Sequence, residues 1–244
     1  PKPSKKNPVQ LSVIVPAYNE GFHIHDNLLV ICDSLKKLKV EVIVVDDGST
    51  DNTFAESKRA ARSRKQIKAF RLSDNAGKGA SLFHGFSQAS GDIIVFFDSD
   101  LEIAPQYILK LLDVMQKQKA DAVAGVKDPA TNRFPAPRRL MSAIYKNTVR
   151  FLFDLSITDT QTGIKIFKRE VLENAIPRMN VSRFAFDLEL LVAASRFGYH
   201  IVEIPVEVHY ARKGNMGRMK PGSLFATFTD TLGIYFRASF WRWL

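Results

Sequence analysis

The sequence has a single cysteine, Cys32, among its 244 residues. An internal disulfide is therefore excluded, and the cysteine count favours a protein made in a reducing compartment. The sequence also lacks any apolar run long enough to span a bilayer, and it shows no secretory signal peptide. With 45% hydrophobic residues it can bury a full core, so we expect one large globular domain, with or without an appendage.

Two common nucleotide-binding motifs are also missing. Gly77-Lys78-Gly79 is not a P-loop, because a P-loop has Ser or Thr directly after the lysine. It is not a dinucleotide fingerprint either, because Leu82 stands where a third Gly or Ala is needed. What remains is a glycine-flanked lysine that opens a helix, which is still a reasonable position for phosphate. No motif of a known nucleic-acid-binding module is present, so we expect no nucleic-acid partner.

Acidic residues are in the minority, since 35 Lys and Arg stand against 25 Asp and Glu and the formal net charge is +10. Nucleic acid, an anionic membrane surface or a phosphorylated substrate would each suit such a chain, and solubility alone is a simpler explanation. Only the positions of the basic residues can separate these possibilities.

The pattern of the first half of the chain predicts an α/β fold. Short runs rich in β-forming residues alternate with helix-length amphipathic stretches. The runs cover residues 11–15, 40–45, 67–72, 92–97 and 120–125, and the stretches cover 23–37, 50–65, 78–89 and 105–117. Almost continuously apolar strands separated by helices indicate a Rossmann-like, doubly wound, mostly parallel sheet with helices on both faces.

The second half of the chain is less regular. A loop rich in proline and arginine at 128–139 is followed by a predicted helix at 140–153, a short strand near 163–167, a helix at 186–197 and a last strand at 200–208. We therefore predict a flexible leader at residues 1–10, one domain at 11–221 and a C-terminal amphipathic helix at 222–244. Large apolar side chains recur along that helix from Phe225 to Trp243 at three- and four-residue steps, so it either lies in a membrane interface or packs on the domain.

Polar residues follow each of the first four predicted strands, at 16–20, 46–49, 74–79 and 98–100. In a parallel α/β sheet, ligands bind beyond the carboxyl ends of the strands. Any one of these segments is weak evidence, because Asp and Gly after a strand usually form only a turn and a helix cap. Their joint occurrence predicts a ligand-binding crevice at this edge of the sheet.

The most specific of these segments is Asp98-Ser99-Asp100. In extended chain, carboxylates two residues apart point to the same side, and a divalent cation relieves their repulsion. Hard oxygen ligands suit Mg²⁺ or Mn²⁺, which would act as a Lewis acid on a diphosphate leaving group. An exposed turn with two solvated acids is the simpler alternative. Asp46-Asp47 has two interpretations as well, contact with ribose or a base edge on one hand and helix capping on the other.

Taken in order, these segments resemble the motifs of glycosyltransferase family 2. The resemblance implies the GT-A fold and a reaction that inverts the anomeric centre. Segments of the second half resemble the dolichyl- and polyprenyl-phosphate hexose synthases, and the whole resemblance runs from about Leu11 to Lys220. The segments are 15–20, 45–51, 75–79 and 98–101 in the first half, and 159–167, 186–191 and 203–206 in the second.

The resemblance also implies a donor, a UDP- or GDP-hexose, and a set of site residues. The residues expected to hold the donor are Pro16, Tyr18, Glu20, Asp47, Lys78 and Asp98. The expected metal ligands are Asp98, Asp100 and Glu102, the last at a position where some relatives carry Gln. The expected catalytic group is Asp100, Asp159, Asp187 and Arg212, although Asp159 and Asp187 would have a simpler explanation as helix caps.

The acceptor implied by the resemblance is dolichyl or polyprenyl phosphate, which places the protein at the cytoplasmic side of a membrane. Such a phosphate is already anionic, so it needs cations rather than a general base. Two late loops supply the candidates, although each alone is more simply a solvated surface charge: Arg133, Arg138, Arg139, Arg212, Arg218 and Lys220. His209 is a candidate base or a structural histidine. Asp159-Thr160-Gln161 resembles glucosyl-transferring relatives more closely than mannosyl-transferring ones.

Three other functions remain open. A family 2 enzyme could act on a glycan or protein hydroxyl instead of a lipid phosphate. A nucleotidyltransferase would need a glycine-rich loop after the first strand, where residues 16–20 stand instead. A non-enzymatic basic binding module would not need the paired acids at 46–47 and 98–100 together. The absence of a Q-x-x-R-W motif counts against a processive polysaccharide synthase.

Overall fold

The fold is seen in a computed structural model, which describes residues 10–128, 145, 147–153, 160–180, 185–209 and 221–240. Seven strands form one sheet within these residues. They are β1 (Leu11–Ala17), β2 (Val40–Asp46), β3 (Ile67–Arg71), β4 (Ile93–Phe97), β5 (Ala122–Lys127), β6 (Ile164–Lys168) and β7 (Ile201–Val206). All five strands predicted in the first half are present, and the short sixth and the last strand are also confirmed.

The strand order is β3-β2-β1-β4-β6-β5-β7. β1, β2, β3 and β4 run parallel, and β5 pairs with β7 in parallel, whereas β6 lies antiparallel between β4 and β5. The start of β6 therefore lies at the same edge of the sheet as the carboxyl ends of its two neighbours. The segment just before β6 thus joins the edge at which the polar loops were predicted to gather.

Helices cover both faces of the sheet, as predicted for a doubly wound fold. They are α1 (Ile24–Ser34), α2 (Thr53–Ser63), α3 (Lys78–Gln88), α4 (Tyr107–Lys117), α5 (Arg169–Ala175), α6 (Phe186–Arg196) and α7 (Pro221–Phe240), with a 3₁₀ turn at Ile176–Arg178. One core cluster packs α1, α2 and α4 against the sheet, and a second packs α3, α5 and α6 against the other face. Residues 147–153, inside the helix predicted at 140–153, are helical and join the second cluster. Helix α5 was not predicted.

The C-terminal helix packs on the domain. Thr231 and Ile234 are fully buried, and Arg237 makes an ion pair of 2.8 Å with Glu189 of α6, which is itself fully buried. Of the predicted apolar stripe, Phe236 is 56% exposed. None of the helices in the described part of the chain combines the length and the apolar character that crossing a bilayer requires. The predicted leader at 1–10 lies outside the described residues except for Gln10.

Candidate functional site

The candidate site lies along one edge of the sheet, with β4 at its centre. Three strands stand on each side of β4 in the sheet. The loops after β1, β2 and β3 form one half of the edge, and the segments before β6 and after β5 and β7 form the other. The acidic segment 98–100 follows β4 directly, so it lies at the boundary between the two halves.

The loops after β1 and β2 are joined to each other by backbone and side-chain hydrogen bonds. Asn19, in a left-handed conformation with φ of 54°, donates its N–H to Ser49 Oγ at 2.9 Å and accepts from the Thr50 N–H at 3.0 Å. The Glu20 N–H donates to Thr53 Oγ1 at 2.8 Å. These bonds fix the segment that carries Tyr18 and Glu20 before any ligand arrives.

The predicted nucleoside contacts differ in their exposure. Tyr18 is 39% exposed, whereas Glu20 and Asp47 are buried and Pro16 is buried within β1. The Asp47 carboxylate accepts the N–H groups of Ala76 and Gly77, each at 2.9 Å, and so connects the loop after β2 to the loop that begins α3. Asp47 therefore bonds the loop before α3 instead of capping α2, the helix that follows it in sequence. Any role of Asp47 toward a donor remains a prediction.

The neighbouring Asp46 has a structural role. Its carboxylate is fully buried, accepts the Ser49 N–H at 3.1 Å and pairs with Arg71 Nε at 3.2 Å. The Arg71 guanidinium also donates to the Ser49 carbonyl at 2.8 Å. Asp46 therefore shapes the turn after β2 rather than facing a ligand.

The segment Asp98-Ser99-Asp100 forms a turn rather than continuing the strand, so the predicted extended geometry is wrong. Leu101 has a φ of 55°, a conformation that a branched side chain rarely adopts. Asn27 of α1 donates from Nδ2 to the Ser99 carbonyl at 2.7 Å, and Asp100 Oδ1 accepts the Glu102 N–H at 3.1 Å. Backbone strain held in place by such contacts is typical of functional sites.

The electrostatics of this turn favour a bound cation. The pKa of Asp100 is raised. The largest cause is partial desolvation of its side chain, which still reaches solvent, and repulsion by the Asp98 carboxylate adds to it. Lys78, the first residue of α3, places its Nζ 2.5 Å from Asp98 Oδ1. Burial alone would lower the pKa of Lys78, but the charges of Asp98 and Asp187 outweigh it and raise that pKa.

The donor set fits Mg²⁺ or Mn²⁺. Two hard carboxylates share the turn, and one of them already attracts an ammonium group, which stands where positive charge is needed. Among the described residues, no three His, Cys, Asp or Glu side chains converge as a metal site would require. The role of Glu102 as a third ligand remains a prediction.

A cleft opens beside the turn. Asp98, Asp100 and Glu102 line it together with Lys127, which ends β5, and with Gln161 and Thr162, which precede β6. The Thr162 hydroxyl is buried and has no hydrogen-bond partner among the described residues. Gln161 and Thr162 lie in segment 159–167, which carries the family resemblance, but neither they nor Lys127 are among the predicted site residues, because the antiparallel insertion of β6 brings this segment to the carboxylates.

Asp187 is held by an ion pair, and its catalytic role remains a prediction. Asp187 lies in the first turn of α6, is only 6% exposed and pairs with Lys165 Nζ at 2.7 Å. His209, the candidate base, is 76% exposed at its side chain, with its Nε2 3.8 Å from Glu207. The remaining predicted residues lie outside the described part of the chain: Asp159, Arg133, Arg138, Arg139, Arg212, Arg218 and Lys220.

Comparison of the sequence with known proteins identifies related chains. The profile described as glycosyl transferase family 2 matches residues 12–175. The chain is 32% identical over 206 residues to glycosyltransferase AglD of Haloferax volcanii, an alignment that covers 82% of this chain and 33% of that protein. It is 31% identical over 257 residues to dolichyl-phosphate beta-glucosyltransferase of Saccharomyces cerevisiae, covering 92% and 76%. With dolichol-phosphate mannosyltransferase of Pyrococcus furiosus the identity is 28% over 221 residues, covering 89% and 61%. The chain thus spans about a third of the length of AglD.

Solved structures share the fold. Glucosyl-3-phosphoglycerate synthase of Mycobacterium tuberculosis, in complex with Mn²⁺, UDP and phosphoglyceric acid, superposes with a TM-score of 0.73 at 20% identity, covering 93% of this chain and 78% of that one. Mannosyltransferase PcManGT of Pyrobaculum calidifontis, in complex with GDP-Man and Mn²⁺, gives 0.65 at 21% identity, covering 96% and 65%. These likenesses confirm the predicted GT-A fold class.

Proposed function

This chain belongs to glycosyl transferase family 2, and from that premise we propose that it transfers a hexose from a UDP- or GDP-sugar to dolichyl or polyprenyl phosphate with inversion. Curated relatives named for dolichyl-phosphate glucosyl and mannosyl transfer support the acceptor class. UDP-glucose is the first donor to test, because the relative of Saccharomyces cerevisiae, which is named for glucosyl transfer, aligns over 92% of this chain.

The observation that carries the proposal is the composition of the cleft at the end of β4. Two carboxylates suited to a divalent cation, Asp98 and Asp100, line the same cleft as the cationic Lys127. The loops of β1, β2 and β3 adjoin the carboxylates from one side, where a nucleotide would lie. A donor diphosphate at the carboxylates and an acceptor phosphate near Lys127 would then meet inside one cleft.

In this arrangement the donor is bound through both its base and its diphosphate. The loop of Tyr18 and Glu20 and the loop fixed by Asp47 would hold the nucleoside. Asp98 and Asp100 would hold Mg²⁺ or Mn²⁺, which stabilises the negative charge of the departing nucleoside diphosphate. Lys78 can supply a second positive charge to that group, because its ammonium already lies at Asp98. The bond from the anomeric carbon to the diphosphate oxygen breaks, and its electron pair leaves with the diphosphate.

The acceptor step needs positive charge more than it needs a base. A phosphate monoester carries between one and two negative charges near neutral pH, so its oxygen can attack the anomeric carbon without losing a proton to the protein. Attack from the face opposite to the diphosphate inverts the configuration. Lys127 is the described cation placed to hold this phosphate, and the predicted arginines of residues 133–139 and 212–220 would complete the clamp. Asp187, already paired with Lys165, is poorly suited to act as a base.

A lipid acceptor requires contact with a membrane surface, and we place that contact at the cytoplasmic side. Phe151 is 88% exposed and Phe236 is 56% exposed, and both lie on helical segments that pack together through the rings of Phe153 and Tyr235. Replacing Phe151 and Phe236 by Ser should reduce sedimentation with anionic liposomes while leaving the melting temperature nearly unchanged. Replacing Val30 by Ser, at an exposed position of α1, is the matched control. Equal liposome binding by the wild type, the variant at Phe151 and Phe236, and Val30→Ser would contradict a membrane contact at these two phenylalanines.

The acceptor class is tested by a screen of two donors against matched acceptors. UDP-glucose and GDP-mannose are each incubated with the protein, Mn²⁺ and either a short polyprenyl phosphate or the corresponding polyprenol. We expect transfer to the phosphate from one donor and none to the alcohol. Transfer to the alcohol, a peptide or a sugar hydroxyl as fast as to the phosphate would show a different family 2 reaction. If neither UDP nor GDP is released, both nucleotide-sugars are excluded as donors.

A further inference from the structure

A lysine lies buried in the middle of the sheet. Lys165 of β6 is only 2% exposed and stands in register with Phe96 of β4 and Ala124 of β5. Burying an ammonium group is costly unless it is paired and hydrogen-bonded. Both conditions are met, because Lys165 Nζ lies 2.7 Å from Asp187 Oδ1 and donates to the Thr162 carbonyl at 2.8 Å.

Gly163, which follows Thr162 directly, supports Asp98. The Gly163 carbonyl accepts the Asp98 N–H at 3.0 Å. A Cβ atom at Gly163 would collide with the Asp98 carboxylate, so that carboxylate lies directly against the glycine backbone. The backbone and the side chain of Asp98 therefore both rest on Gly163, one residue from the carbonyl that Lys165 holds.

The charges continue the same connection. Asp187 is held by Lys165, and the charge of Asp187 also acts on Lys78, whose ammonium pairs with Asp98. Positive and negative groups thus alternate from the core to the carboxylate at the cleft. Removing Lys165 would leave Asp187 to attract Lys78 without a competitor, and it would release the Thr162 carbonyl at the same time.

We propose that Lys165 is a positioning residue for the metal-binding carboxylate Asp98, acting through the Thr162–Gly163 backbone and through its ion pair with Asp187. The proposal rests on the metal role given to Asp98 in the proposed function. It assigns the buried pair a role in cation affinity rather than in acid–base chemistry, so its effect should appear before any substrate is present.

The test is a titration of the protein with Mn²⁺ alone, in which free Mn²⁺ is followed by electron paramagnetic resonance. Lys165→Met should weaken Mn²⁺ binding by about 10- to 100-fold, as expected when a group that orients a ligand is lost. Lys168→Met is the matched control, because Lys168 ends the same strand and pairs with Asp121 at 2.6 Å away from the cleft. It should bind Mn²⁺ like the wild type. Gly163→Ala should weaken binding independently by displacing Asp98.

A double variant separates this role from a purely structural one. Lys165→Met with Asp187→Leu replaces the ion pair by apolar groups, which often restores stability. We expect its melting temperature to recover toward that of the wild type while its Mn²⁺ affinity stays reduced. Recovery of both, or wild-type Mn²⁺ affinity in Lys165→Met or Gly163→Ala, would overturn the proposal. Wild-type protein that binds Mn²⁺ but transfers no hexose would instead contradict the proposed function and leave this inference standing.

Discussion

Replacing Asp100 by Asn should separate activity from stability. The Asn carbonyl can still accept the Glu102 N–H that Asp100 Oδ1 accepts at 3.1 Å, so the turn is retained. One of two like charges disappears, and because the side chain reaches solvent, the free energy of unfolding of the metal-free protein should change by no more than about 1 kcal/mol. Loss of a carboxylate ligand should remove about 3–4 kcal/mol of transition-state stabilisation by the cation. That corresponds to a fall in kcat/KM of roughly 100- to 1000-fold.

The assay measures initial rates of transfer at saturating Mn²⁺, with unfolding by urea followed in parallel. Asp113→Asn is the matched control, since Asp113 is an exposed acid on α4 that pairs only with Lys117 of the next turn in the described structure. It should retain normal turnover. Turnover of Asp100→Asn within a factor of three of the wild type, or full wild-type activity in excess EDTA, would refute the assignment of the cation to this turn. A large drop in stability would show that the Asp100 charge supports the fold.

Three further predictions concern stability and the acceptor. Burial alone would raise the pKa of Glu41, but hydrogen bonds from Lys68 and two serines outweigh it and lower the pKa to about 2. This carboxylate therefore stabilises the fold at pH values above the pKa of the unfolded side chain, and that contribution is lost as pH falls toward 2. Glu41→Gln should unfold less steeply with acid than the wild type, as followed by circular dichroism. Arg237→Met should lower the free energy of unfolding by about 1.5–3 kcal/mol, because it removes a charge-assisted bond to the buried Glu189, and an unchanged urea midpoint would contradict the packing of α7. Lys127→Ala should raise the acceptor KM by about 10-fold or more with little change in the affinity for UDP or GDP, and an equal loss of nucleotide affinity would place Lys127 on the donor side.

The sequence predicts the fold well where the signal is local. The apolar runs that became β1 to β5 and the polar residues at their ends follow from the alternation of strands and helices. The insertion of β6 between β4 and β5 could not be predicted, because strand order and direction depend on contacts far apart in the chain. Helix α5 could not be predicted because its seven residues are too few to show a helical pattern of apolar side chains.

The gathering of acids at the end of β4 could be predicted from the sequence, but the geometry of their turn could not. The acids after β4 were recognised as a pair, but their turn depends on Asn27 and on the strained Leu101, neither of which signals itself in the sequence. Lys165 lies in a run whose alternation would place it toward solvent, and only Asp187, 22 residues later, explains its burial. These features depend on contacts between residues that are distant in the sequence, and local patterns do not predict such contacts.

The anomeric configuration of the lipid product shows directly whether the protein transfers a hexose to lipid phosphate with inversion. The protein is incubated with Mn²⁺, a short polyprenyl phosphate and UDP-glucose or GDP-mannose, both of which carry an α-linked sugar, and the purified lipid is analysed by mass spectrometry and by proton and carbon NMR. We expect a polyprenyl-phosphate hexose with the β configuration, formed from one of the two donors, and no product in the presence of EDTA. A product with the α configuration, or hexose transfer with no lipid phosphate carrying the sugar, would contradict this expectation.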